Sequence, residues 1–110
     1  MKKFIIILLV LFSSISKAQN IFVVQFRNEA QVKVCIVNHI SDADLIVYIT
    51  PHVVTGEQND GKWHMVNYRS QARKLIIFTN HLSDCDLKIF YTTTMSQAGW
   101  KNNSKKHLLE

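Results

Sequence analysis

Three histidines, His39, His52 and His81, sit at the same position of recurring polar segments in a chain of 110 residues. Neutral imidazoles gathered on one rim by a winding fold are the ligands that Zn²⁺ or Cu²⁺ takes. The competing expectation is that a repeated position dictates a repeated residue type, each His serving its own corner, so no metal is assigned. Ser41, Asp42 and His39 also spell a hydrolase set close together in sequence. Ser, His and Asp recur here because the corner recurs, however, and no strand-nucleophile-helix elbow of the G-x-S-x-G kind surrounds them. A phosphate-cradling glycine loop and a dinucleotide fingerprint are likewise missing from the sequence. The reading is a chain that is not an enzyme and carries no cofactor. The alternative class is an enzyme, metal-dependent through the histidines or a hydrolase.

The remaining chemistry-bearing residues are the two cysteines and the aromatic side chains. Cys35 and Cys85 occupy positions that sister segments fill with apolar or small residues, which leaves two outcomes open, a disulfide or two buried thiols. Trp63, flanked by Lys62 and His64 beside the irregular segment GEQNDG, is the candidate for an exposed binding surface. Tyr48, Phe78 and Phe90, at strand positions, are expected in the core.

The amino terminus narrows where this chemistry would operate. Lys2 and Lys3 precede the apolar run Phe4 to Phe12, and Ser16 and Ala18 are the small residues that a signal peptidase needs. That is a secretory signal over residues 1–18, with cleavage after Ala18. Nine apolar residues fall short of the ~20 that span a bilayer. The expected product is an exported chain, periplasmic or extracellular, with no membrane span in its mature form. Lys2, Lys3 and Lys17 leave with the signal, and the net charge drops from +5 to +2. No basic stripe for nucleic acid remains. A partner is not legible in the sequence.

What must position these residues is a repeat. Ala30, Ala43, Ala72, Cys85 and Ala98 are separated by 13, 29, 13 and 13 residues. The units NHISDADLIVYIT, from Asn38, and NHLSDCDLKIFYT, from Asn80, share seven of thirteen residues. Each unit joins a polar stretch to a run of Val, Ile, Tyr, Phe and Thr that reads as a strand. One face of these strands is apolar (Val32, Val34, Ile36; Leu45, Val47, Ile49) and the other mixed (Lys33, Cys35, Tyr48, Thr50). Thirteen residues hold one strand and a corner but no strand-helix-strand unit, so the expected fold is all-β. Ser41, Asp42 and Asp44, like Ser83, Asp84 and Asp86, are expected to bond to nearby backbone N–H groups in the corners. The segment from Pro51 to Val66 breaks the regularity and is expected to form a longer turn or hairpin.

Units of the form S-x-A-D-L-x-V/I-Y/F, closed by SQAGWKNNSKKH from Ser96 to His107, resemble the septoil-knot domain family. The resemblance covers about residues 21–107, and Gly99, Trp100 and Lys101 lie in its most specific part. It implies a compact all-β chain wound into a torus knot with seven crossings, and it supplies no catalytic residues. Periodicity alone leads instead to a small β-solenoid or barrel. Arg73 and Lys74 depart from the pattern where sister units have Asp-Leu. The functional expectation is an exported structural or binding module.

Overall fold

The computed structural model describes residues 18–51 and 58–110. Seven strands alternate with short 3-10 turns: β1 (Gln19–Val23), β2 (Val32–Ile36), β3 (Leu45–Ile49), β4 (Lys62–Met65), β5 (Lys74–Phe78), β6 (Leu87–Tyr91) and β7 (Gly99–Trp100). The order β4-β1-β5-β2-β6-β3 closes through a β3–β4 pairing into a six-stranded barrel, and β7 adds antiparallel to the outside of the ring order at β3. All six barrel strands are parallel.

The order has a simple logic. β1, β2 and β3 take alternate places in the ring, and β4, β5 and β6 fill the gaps. Every strand pair therefore joins the first half of the chain to the second. Parallel neighbours ordinarily need a crossover of a dozen or more residues with a helix. Here the crossovers 24–31, 37–44, 66–73 and 79–86 have eight residues each and contain only one 3-10 turn. Eight extended residues reach at most about 26 to 29 Å, enough to descend a five-residue strand of about 16 Å and step past one neighbour.

The barrel interior is filled by alternate residues. Ile21, Val32, Val34, Leu45, Val47, Trp63, Ile76, Leu87 and Ile89 form the core, and Leu109 of the final 3-10 segment (Asn103–Leu109) joins it. Gln19 donates to the Leu109 carbonyl at 2.6 Å. The alternation continues to the strand ends, but there the packing stops. Val23, Ile36, Ile49, Phe78 and Tyr91, each the last residue of its strand, are exposed. Ile36 and Ile49 thus share the face of Val32 and Leu45 without sharing their burial, and Phe78, expected in the core, lies on this rim. Because the strands are parallel, the rim is one end of the barrel.

Trp63 corrects the sequence reading. It is fully buried, at 0 % exposure, because strand alternation turns it inward between Ile49 of β3 and Gln19 of β1. The expected second arm, Trp63 to Val66, corresponds to β4 (Lys62–Met65), which pairs in parallel with β1 and β3, while the first arm, Val53 and Val54, lies outside the described residues. Lys74 takes the first inward place of β5, which Val32, Leu45 and Leu87 fill in β2, β3 and β6, and remains half-buried.

Candidate functional site

The polar residues of the repeat lock each crossover to the strand it passes. Asp44 donates its N–H to the Lys88 carbonyl at 2.8 Å, and its Oδ2 accepts from the Lys88 N–H at 2.9 Å. Asp86 grips Lys33 in the same way, at 2.8 and 2.9 Å, and Gln31 grips Leu75 at 2.7 and 2.9 Å. One residue thus satisfies both backbone groups of its partner, as another strand would. These bonds are long-range, whereas the expectation for Asp44 and Asp86 was local. The local work is done by the backbone instead: Ala43 and Cys85 N–H close the 3-10 turns on Ile40 and Leu82. Arg73 keeps only the backbone half, its N–H bonding the Asn20 carbonyl at 2.7 Å, since a guanidinium has no acceptor to offer. A Gln or Asp right after Ala30, Ala43 and Cys85 was the signal for these clamps.

Asp44 also ties down the carboxy-terminal segment. Its carbonyl accepts from Lys101 N–H at 2.8 Å and Asn102 N–H at 3.0 Å, its Oδ1 from the Asn102 amide at 3.2 Å, and Lys105 Nζ lies 3.4 Å from Oδ2. Trp100 donates its indole N–H to the Asn59 carbonyl at 3.1 Å. Gly61 stands at this junction with φ +91°, its carbonyl accepting from Tyr48 N–H at 2.9 Å.

Crossovers 37–44 and 79–86 are the two near-copies of the repeat, and the ring order sets them side by side. A groove of about 380 Å³ lies between them. Ile36 and Phe78 of the rim line it together with Asn38, Asn80, His39 and Asp42. An apolar base with amides, one imidazole and the Asp42 carboxylate on its walls suits hydrogen-bond donors carried on an apolar frame. Outside the groove's lining, Arg27, bonded to Asp84 at 2.6 Å, holds that exposed carboxyl below its ordinary value.

His39 and His81 precede equivalent 3-10 turns and both are exposed; His52 lies outside the described residues. Among the described residues no three His, Cys, Asp or Glu side chains group as metal ligands. Asp42 N–H donates to the His39 carbonyl at 3.0 Å, which closes the corner, and among the described residues no side-chain hydrogen bond joins Ser41, Asp42 and His39. Lys62 pairs with Asp60 at 3.0 Å, and His64 Nδ1 lies 3.0 Å from the Thr50 carbonyl. His64 also lines a second groove, of about 490 Å³, with Met65, Asn67 and the exposed Tyr68. Lys62 and His64 thus flank a tryptophan that faces away from any partner. Cys35 and Cys85 are both free thiols in contact with one another, and burial together with the Cys35 thiol pushes Cys85 up to about 12.

Fold and crossovers define a class, small closed parallel β-barrels whose two passages of chain interleave without helices. Within that class the family model of the 7(1) septoil knot domain matches residues 18–101. The chain belongs to that family. No curated protein and no solved structure matches it. Among the described residues no helix is long and apolar enough to cross a membrane.

Proposed function

We propose that the protein is an exported, non-enzymatic structural or binding module, periplasmic or extracellular, whose chain is wound into a seven-crossing torus knot. The observation that carries this reading is the use made of the polar repeat residues. Gln31, Asp44 and Asp86, the groups best able to do chemistry by repetition, hold crossovers against strands at 2.9 Å. A frame locked in this way resists local opening, which is where proteases and unfolding begin. The interleaved ring order supports the knot, since the second passage of chain runs between the strands of the first. Threaded chains are otherwise rare among folds. The surface available to a partner includes the groove between the near-copies.

Two measurements test this. The chain expressed from Met1 should appear outside the cytoplasm beginning at Gln19 and should survive hours of thermolysin; cytoplasmic retention or digestion within minutes would overturn the reading. Stretched between its ends, the unfolded chain should stop short of the roughly 3.3 to 3.6 Å per residue of a full extension, because a tightened knot retains chain. Full extension would remove the knot.

A further inference from the structure

We propose that Cys35 and Cys85 are a built disulfide site that staples crossover 79–86 to the outer face of β2. Cys35 points outward on β2 and is nonetheless only 2 % exposed, because this crossover passes over it. The Asp86 clamp on Lys33 fixes the approach. Cys85 lies one residue before Asp86, and Cys35 lies two residues beyond Lys33 on the same strand face. Each sulfur reaches the other's segment: Cys35 Sγ lies 3.6 Å from the His81 carbonyl and Cys85 Sγ 3.8 Å from that of Lys33. Cys85 Sγ donates to the Leu87 carbonyl at 2.9 Å, and the Cys35 thiol is near enough to help raise Cys85.

A second observation is independent of the sulfur geometry. The other clamps define the equivalent positions elsewhere: Ala30 with Ile77, Ala43 with Phe90 and Ala72 with Phe22. In each, a small crossover residue is matched to a large apolar strand residue. At the fourth site both members are cysteine, so the change is made jointly on two elements 50 residues apart. That is how a crosslink is specified, and packing alone asks for nothing of the kind.

The oxidant is a disulfide, carried by a thiol oxidase or by glutathione. The Cys85 thiolate attacks one of its sulfurs and releases the first thiol. The Cys35 thiolate then attacks Cys85 Sγ, forming the Cys35–Cys85 bond and releasing the second thiol. Two electrons pass to the oxidant, and the two cysteine protons end on its thiols. Burial keeps the Cys85 thiol protonated at neutral pH, so exchange on the folded chain is slow and oxidation during folding is fast.

The test takes the full chain, reduced and unfolded, and refolds it with oxidised glutathione at about pH 8.5, near the ordinary thiol range. Both thiols should become inaccessible to alkylation, with a monomer lighter by about 2 Da and a peptide linking the two cysteines. The melting temperature should rise on the order of 10 °C and return on reduction. Cys85→Ala should show neither change. Two persisting thiols, glutathione adducts alone or intermolecular dimers would each overturn the proposal.

Discussion

Replacing Asp44 by Ala removes the side chain on which three segments converge while leaving the backbone bonds of residue 44 in place. The Lys88 N–H loses a charged acceptor at 2.9 Å in a partly buried place, a loss of about 1.5 kcal/mol. The Asn102 amide loses its bond at 3.2 Å, about 1 kcal/mol, and the Lys105 ion pair, one-third exposed, adds about 0.5 kcal/mol. The expected cost is about 3 kcal/mol, which lowers a urea midpoint by roughly 1.5 M at a typical m-value near 2 kcal/mol/M. Asp86→Ala, which removes one side-chain bond at 2.9 Å, should cost about 1.5 kcal/mol, and the exposed Gln31→Ala under about 1 kcal/mol. Asp44→Asn keeps an acceptor for Lys88 and should cost less than half as much as Asp44→Ala. Hydrogen exchange at the Lys88 amide supplies a local readout. Should Asp44→Ala prove no worse than Gln31→Ala, with exchange at Lys88 unchanged, the clamps would not hold the crossovers and the account of the fold would fail.

Gly61→Ala should cost at least about 3 kcal/mol, measured as the same midpoint, because φ is +91° and a Cβ would collide with the Ile46 carbonyl oxygen and come within 2.8 Å of Gly99 N. Leu109→Ala should cost about 2 to 5 kcal/mol by emptying part of the core, read by thermal melting. Burial raises Cys85 above its ordinary 9.0 and Tyr91 above 10.0, so their contributions are complete below those values and are lost as pH rises beyond them. Midpoints of the reduced protein should therefore fall from about pH 9 upward, and less steeply in Cys85→Ala. Arg27→Ala should return Asp84 toward its ordinary 3.8, seen by carboxyl NMR, since a depressed acid gives its stability above that value and loses it as pH falls. Both side chains are well exposed, so stability at neutral pH should scarcely move.

Strand positions, corner positions and the inward face of each unit were legible in the sequence because they follow from spacing within thirteen residues. Val32, Val34, Leu45 and Val47 were read as one face and are one face. What spacing cannot carry is which unit lies beside which. The ring order places strands of neighbouring units two apart, so Asp44 was read against its own corner when its partner is Lys88, and the near-copies around Asn38 and Asn80 gave no sign of being neighbours. Ile36, Ile49 and Phe78 keep the inward parity but end at a rim, and parity says nothing of where packing stops. Trp63 failed differently: proximity to an irregular segment suggested exposure, while its place in β4 set it inward. That the cysteines stand where sister units carry apolar or small residues was legible, and their approach was not, since it depends on the crossover of one half lying over a strand of the other.

The division of the barrel into two interleaved halves also governs when it can form. β1, β2 and β3 pair only with later strands, so a chain emerging amino terminus first has made the whole of its first three strands and none of their sheet. The first half stays without native partners until residues 62–91 arrive, and that later half has none of its own. A ribosome or a translocation channel therefore handles an open chain nearly to the end of synthesis, and closure is a single late event of high contact order. Split between β3 and β4, the two fragments should each remain without sheet and acquire it only on mixing.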